Sequence, residues 1–171
     1  MKTHNQPLNG LRVIEFTHMV MGPTCGMVLA DLGAEVIKVE PIDGDRTRHL
    51  LGSGAGFFPM FNRNKKSIAL DLQSPKGREV VLRLIATADI VTENFKTGTM
   101  KKLGLDYESL RKINPRLIYG NISAYGTEGN MSDKAGMDIA VQARAGLLRI
   151  TGAHGSSEPV RPGSSLSDFG G

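Results

Sequence analysis

Leu11-Arg-Val-Ile-Glu-Phe16 is the first half of the pattern that decides the fold of this chain, and Glu35-Val-Ile-Lys-Val-Glu40 is the second. Both runs have the composition of short strands. Pro23 between them suits the first turn of a helix, and Gly33 lies where a glycine commonly ends one. We therefore expect a helix from Pro23 to about Leu32, which completes a compact βαβ unit.

The alternation of strand and helix continues along the chain. Further strands are predicted at Ser67–Leu72, Asp89–Glu93 and Arg116–Ser123, and helices after Ser74-Pro75 and after the N-cap candidate Asp106. Residues 136–150 are expected to be helical although Gly146 weakens that pattern, and residues 42–60 and 152–171 are expected to be loops. The order predicts an α/β fold, with a Rossmann-like, open, mostly parallel sheet and flanking helices.

Composition excludes several classes of protein. Hydrophobic residues make up 40% and charged residues 22%, which is ordinary for a soluble globular protein. No apolar run is long enough to span a bilayer, residues 1–9 lack the apolar core of a signal peptide, and Cys25 has no second cysteine to pair with. We therefore predict a cytoplasmic protein, or one imported without a cleaved secretory signal, with no membrane association.

The positive charge is concentrated in residues 61–116, which hold 12 Lys and Arg against 6 Asp and Glu. Aromatic residues are only 5% of the chain and Trp is absent, so the stacking surfaces that bind single-stranded nucleic acid are not expected. Two interpretations stay open: a site for a small phosphorylated ligand, or a solvated basic face without a ligand.

A dinucleotide site is the obvious alternative for a βαβ unit whose second strand ends in an acidic residue, here Glu40. The first turn, His18–Thr24, lacks the G-x-G-x-x-G pattern, and Pro23 removes a backbone N–H that a pyrophosphate would need. Nicotinamide-cofactor binding is therefore disfavoured. The histidines are scattered and show no metal-ligand spacing, so no metal site is predicted.

Asp168 lies in Ser167-Asp-Phe-Gly-Gly171, a carboxylate in a glycine-rich turn. Such a carboxylate can serve as a nucleophile where glycines let a substrate approach the backbone. A surface turn of ordinary composition is the competing interpretation.

Several blocks in the same order resemble the family III CoA-transferases, the group that includes formyl-CoA transferase and carnitine CoA-transferase. The chain opens with Leu8–Phe16 and Gly22-Pro23, which are similar to the start of that family. The other similar blocks are Leu29–Pro41, Asn62–Leu72, Glu93–Phe95, Leu103-Gly104, Asn114–Arg116 and Ser123–Gly126. The resemblance extends over residues 8–171.

The resemblance implies a mechanism and a set of partners. It implies Asp168 as the nucleophile that transfers CoA from an acyl-CoA to a carboxylic acid, through an aspartyl anhydride and an aspartyl-CoA thioester. Backbone N–H groups near Gly170-Gly171 would then stabilise oxyanions. Coenzyme A is a substrate here, no tightly bound cofactor is expected, and the family forms interlocked homodimers.

The resemblance also implies which residues contact CoA. Leu70–Gln73 would lie near the adenine, and Lys102 matches a basic position of the family. The positive charge of residues 61–116 would then serve to bind the phosphates of CoA. The implied CoA-contacting residues are His18, Val20, Met21, Leu70, Asp71, Leu72, Gln73, Asn94, Phe95, Lys96, Lys102 and Met137. Phe95 as simple core and Lys102 as a solvated helix residue stay open as alternatives.

Two residues depart from the patterns of related enzymes. Val20 stands where formyl-CoA transferase has Gln, which argues against the same small-acid specificity. Met137-Asp138 stands where the related acyl-CoA racemases carry a His-Asp pair, and methionine can act neither as base nor as acid. Transferase is preferred, with a racemase fragment or a non-catalytic CoA-binding module as alternatives.

Members of the family are much longer than 171 residues. The resemblance therefore implies that residues 1–171 are the N-terminal part of a CoA-transferase large domain, an incomplete part of the interlocked fold, with the second domain and the C-terminal return absent. On this hypothesis the 171-residue chain alone is inactive. The acyl donor and acceptor stay open.

Overall fold

In a computed structural model the described residues are 6–170, and they form two compact units, one ending at Ile122 and the other beginning at Ser123. The strands of the first unit are β1 (Arg12–Phe16), β2 (Glu35–Glu40), β3 (Lys66–Ala69), β4 (Ile90–Glu93) and β5 (Ile118–Asn121). They form a five-stranded sheet in the order β3-β2-β1-β4-β5, in which every pair is parallel. The predicted α/β class with a parallel sheet is confirmed.

Helices connect these strands as crossovers, which parallel pairing requires. They are α1 (Met21–Asp31), α2 (Phe57–Phe61), α3 (Pro75–Ile85), α4 (Thr99–Leu103) and α5 (Tyr107–Leu110), with 3-10 turns at Arg46–His49 and Gly52–Gly54. The predicted start of α3 is confirmed, since Ser74 Oγ accepts from the Gly77 N–H at 3.1 Å and Pro75 follows at the first helical position. Gly33, with φ 105°, follows the end of α1 as expected.

The central strand β1 is buried on both faces because helices cover both sides of the sheet. One face carries a small apolar cluster of Val13, Ala30, Ala34 and Val36. On the other face Ile14 and Phe16 belong to the main core, which also contains residues of α3, α4 and α5. Alternation along β1 therefore places Glu15 on the same face as Val13, and this face is important for the site below.

The second unit, over its described residues 123–170, is mostly turns and irregular segments with three short helices. It contains α6 (Asp138–Arg144), α7 (Leu147–Ile150) and α8 (Leu166–Gly170), and none of these described residues is in a strand. The single helix expected over 136–150 is wrong, because Gly146 adopts φ 79° and separates α6 from α7. Throughout residues 6–170, the helices are too short or too polar to cross a bilayer.

Other boundaries also differ from the predictions. Strands β3 and β5 are shorter than expected, and residues 42–60 include two 3-10 turns and the start of α2. The C-terminal segment is not wholly loop, since α8 lies within it. Asp106 precedes α5 as predicted, but its carboxylate accepts from Ser109 Oγ at 2.7 Å and makes no hydrogen bond to the backbone of the first turn.

Candidate functional site

The turns that follow β1 and β4 lie side by side at the carboxyl edge of the sheet, where ligands of parallel α/β sheets bind. The paired strands end with Phe16 opposite Glu93. Just beyond, the His18 N–H donates to Asn94 Oδ1 at 2.9 Å, and Asn94 Nδ2 donates to the His18 carbonyl at 2.9 Å. The structure therefore brings together two of the residues predicted to contact CoA.

Phe95 belongs to the same group, because its ring stacks on that of His18 with 5.7 Å between centroids. Phe95 also packs against the main core, as the alternative interpretation expected, while its contact with CoA stays a prediction. Burial lowers the pKa of the His18 imidazole, against the opposing effect of the Asp45 carboxylate. In its neutral form the imidazole presents one donor and one acceptor beside an aromatic face.

The β1–α1 turn has an unusual backbone. Met19 adopts φ 65°, a left-handed conformation that is uncommon for a residue with a side chain. Its N–H donates to Thr47 Oγ1 at 3.1 Å, so the 3-10 turn after β2 holds it in place. Val20 is only 3% exposed, and Met21 opens α1 without a side-chain cap. Contact between Val20 and a ligand would therefore have to use its backbone.

Glu93 anchors the turn that carries Asn94, Phe95 and Lys96. Its carboxylate accepts from the Phe95 N–H at 2.8 Å and from Asn121 Nδ2. Burial raises the pKa of Glu93, against these two hydrogen bonds. Lys96 follows with an exposed side chain, and Lys102 is exposed on α4, so both are available to an anion.

A buried charged cluster lies under the β1–α1 turn, and the sequence predictions missed it. Lys65 Nζ is 2.8 Å from Glu15 Oε1, and Lys38 Nζ is 3.0 Å from Asp45 Oδ2 and donates to the Thr17 carbonyl at 2.5 Å. Burial raises the pKa of Glu15 and lowers that of Lys65, in each case against the attraction of the partner. The sequence did offer a signal for this cluster. Glu15 and Lys38 are charged residues in the middle of strands that are otherwise apolar there.

The segment after β3 is open in part. Leu70 and Leu72 pack against the main core, whereas Asp71 and Gln73 have exposed side chains. The Asp71 carboxylate accepts from the Gln73 N–H at 2.9 Å, which shapes a tight turn before α3. A ligand at this segment would contact polar side chains and backbone. Leu70 and Leu72 would hold the segment against the core.

Asp168 lies in α8 of the second unit, so the expectation that it occupies a turn is wrong. Asp138 holds the start of this helix: its Oδ1 accepts from the Ser167 N–H at 2.9 Å and its Oδ2 from Gln142 Nε2 at 2.7 Å. Burial raises the pKa of Asp168, and the negative charge of Asp138 raises it further. A carboxylate of raised pKa is a better nucleophile once it is ionised.

The remaining predicted positions of the second unit are Met137 and the closing glycines. Met137 immediately precedes α6, and 69% of its surface is exposed. Gly170 ends α8, while Gly171 lies outside the described residues. Within residues 6–170, no three His, Cys, Asp or Glu side chains are grouped in a way that could hold a metal ion.

Comparison with known proteins gives a consistent result. The model for CoA-transferase family III matches residues 8–171. The succinate–glutarate CoA-transferase of Agrobacterium fabrum is 43% identical, over 99% of this chain and 45% of its own length. The succinyl-CoA:glutarate CoA-transferase of Mus musculus is also 43% identical, over 96% of this chain and 38% of its own length.

A solved structure supports the fold. The crystal structure of a CAIB/BAIF family protein from Brucella suis superimposes with a TM-score of 0.89 at 44% identity, covering 96% of this chain and 46% of that one. The chain thus spans less than half the length of these relatives.

Proposed function

The chain belongs to CoA-transferase family III, and we propose that the intact gene product transfers coenzyme A from an acyl-CoA thioester to a carboxylic acid, with Asp168 as nucleophile. The family match over residues 8–171 carries this proposal. The relatives named above act on succinate or succinyl-CoA and glutarate by their names, so dicarboxylic acids are the first substrates to test.

The reaction divides into four exchanges at carbonyl carbons. The Asp168 carboxylate attacks the thioester carbon, the C–S bond breaks, and CoA leaves as a thiolate from a mixed anhydride. The thiolate attacks the aspartyl carbon of that anhydride, which releases the first acid as its carboxylate and leaves an aspartyl-CoA thioester. Each step exchanges one activated acyl group for another, which is how covalent catalysis divides a difficult transfer.

The second half of the cycle reverses the first with a different acid. The acceptor carboxylate attacks the aspartyl carbon and expels the thiolate, giving a second mixed anhydride. The thiolate then attacks the acceptor acyl carbon, which forms the new acyl-CoA and restores the Asp168 carboxylate. No external oxidant, metal or water takes part, and entry of water would hydrolyse the intermediates.

In the first unit we assign CoA to the carboxyl edge of the sheet. The stacked pair of His18 and Phe95 offers an aromatic surface, and Lys96 and Lys102 offer exposed positive charge for the phosphates. The exposed side chains of Asp71 and Gln73 are assigned to the adenine end. The homodimer and the cytoplasmic location stay predictions from the family resemblance and the composition.

Racemase activity is the second candidate, and residue 137 argues against it. A racemase needs a base and an acid on opposite faces of the α-carbon, and Met137 has no ionisable group. The deciding experiment incubates the intact protein with succinyl-CoA and labelled glutarate, and separately with a chiral 2-methylacyl-CoA in deuterated water. Labelled glutaryl-CoA supports the transferase; deuterium at the α-carbon without transfer supports the racemase; CoA binding with neither product supports a binding module.

The charge of Asp138 gives a prediction for the pH dependence. A neighbouring negative charge disfavours ionisation of Asp168 and so raises its pKa. In Asp138→Asn that charge is lost, while Oδ1 can still accept from the Ser167 N–H. The pKa of Asp168 should therefore fall, and the acid limb of kcat/KM should move to lower pH.

The matched control is Asp133→Asn, since Asp133 is an exposed aspartate of the same unit that pairs with Lys134 at 3.5 Å. Its pH profile should superimpose on that of the unaltered protein. An acid limb that stays in place in Asp138→Asn, or moves to higher pH, contradicts the electrostatic account.

A further inference from the structure

We propose that Asn94 is a positioning residue, which fixes the backbone of His18 through its carboxamide instead of using that carboxamide to bind CoA. The inference rests on the proposed function, since the turn it fixes belongs to the proposed CoA site. It is carried by the two hydrogen bonds of 2.9 Å between the Asn94 side chain and the N–H and carbonyl of His18.

The geometry resembles one more step of the β1–β4 ladder. The backbones pair up to Phe16 and Glu93, and the Asn94 N–H still reaches the Phe16 carbonyl at 3.4 Å. The two turns then continue towards different helices. A carboxamide carries the same donor and acceptor as a peptide group, so the Asn94 side chain supplies the pairing that the diverging backbones cannot make.

Gly22 in α1 makes room for this carboxamide. A Cβ at Gly22 would lie 2.7 Å from Asn94 Cγ and 2.9 Å from Asn94 Nδ2, closer than real Cβ contacts come. Gly22 is itself buried, so a side chain there could not turn to solvent. The same Cβ would lie 2.8 Å from Thr17 Cβ, so a larger residue would press on both Asn94 and Thr17, and Gly22→Ala tests the carboxamide only when its effects match those of Asn94→Ala.

The consequence is a turn that is held from both sides before a ligand arrives. Asn94 fixes His18, and Thr47 fixes Met19 at 3.1 Å despite the left-handed backbone of that residue. The His18 ring is thereby kept against Phe95. A preformed turn lowers the entropic cost of ordering it on binding. Loss of the Asn94 hydrogen bonds to His18 should therefore weaken CoA affinity, although no group that touches CoA is removed.

Amide hydrogen exchange by NMR, with CoA titration by calorimetry, tests this on the full chain. In Asn94→Ala the His18 amide should exchange about 10-fold faster without ligand, as expected for loss of one hydrogen bond, and CoA affinity should fall. Gly22→Ala should reproduce both effects with Asn94 intact. The control is Asn114→Ala, whose carboxamide donates to the carbonyls of Ile85 and Ala88; it should lower Tm while the His18 exchange rate and CoA affinity stay unchanged.

Two results would overturn the assignment. One is a His18 amide in the unaltered protein that exchanges as fast as an unprotected loop amide. The other is a His18 amide that exchanges faster once CoA is added, because the carboxamide would then be leaving His18 for the ligand. Absence of CoA binding to the unaltered protein would instead refute the proposed function, and the exchange rates of the free protein would still decide the role of Asn94.

Discussion

Replacing Asp168 with alanine is expected to lower kcat for CoA transfer in the intact protein by roughly 10⁴-fold or more, in the range seen when a covalent nucleophile is removed from an enzyme. The reason is that no anhydride or aspartyl-CoA thioester can form without the carboxylate. CoA binding should change little, because the residues assigned to CoA in the first unit are intact. Transfer between succinyl-CoA and labelled glutarate gives kcat, and calorimetry gives the CoA affinity.

Asp133→Ala is the control for this variant, because Asp133 is an exposed carboxylate in the same helical unit. It should retain the kcat of the unaltered protein. Retention of kcat by Asp168→Ala would remove Asp168 from the chemistry. A loss of CoA affinity as large as the loss of kcat would instead place it in binding.

Replacing Lys65 with methionine is expected to lower the free energy of unfolding by roughly 3–5 kcal/mol, the cost of leaving one member of a buried ion pair uncompensated. Glu15 is fully buried, and its Oε1 lies 2.8 Å from Lys65 Nζ. Lys38 Nζ is farther from that oxygen, at 3.9 Å, and pairs with Asp45 at 3.0 Å, so it offsets the Glu15 charge only in part once Lys65 is lost. Methionine fills a similar volume, so the effect reports the charge and not a cavity. Urea unfolding followed by circular dichroism measures it.

Lys66→Met, at the neighbouring residue, is the matched control. Lys66 pairs with Glu35 at 2.5 Å, but its side chain is 70% exposed, and an exposed pair contributes only about 0–1 kcal/mol.

Adding Glu15→Gln to Lys65→Met should recover part of the lost free energy of unfolding. The deficit of Lys65→Met should also shrink as the pH falls, because burial raises the pKa of Glu15 and its protonation removes the uncompensated charge. Equal losses in the Lys65 and Lys66 variants would show that the cluster is not energetically important.

The fold could be predicted from the sequence because local signals and the global pattern agree. Pro23 near the start of α1, Gly33 after its end, and Ser74-Pro75 at the start of α3 each mark a boundary that the structure has within a few residues. The alternation of strands and helices then allows few arrangements other than a parallel sheet. The weakest predictions were those for the glycine-rich segments, where short helices such as α8 depend on tertiary contacts like that of Asp138 with Ser167.

The candidate site could be predicted in part. The residues themselves pointed to Asp168 as a carboxylate in a glycine-rich stretch, and the resemblance implied its role and suggested His18, Asn94 and the lysines as CoA contacts. The sequence does not show what each side chain does. The Asn94 carboxamide hydrogen-bonds to His18 in the neighbouring β1–α1 turn, and Val20 is buried. The cluster of Glu15, Lys38 and Lys65 joins residues far apart in the chain, so no local pattern specifies the pairing.

Trapping of the covalent intermediate tests the central claim most directly. The intact protein is mixed with an acyl-CoA, quenched with hydroxylamine, digested and analysed by mass spectrometry. An activated aspartyl group reacts with hydroxylamine to give a hydroxamate, so we expect that modification at Asp168, dependent on acyl-CoA and absent from Asp168→Ala. A hydroxamate on a different carboxylate, or continued CoA transfer with no modified residue, would contradict the account.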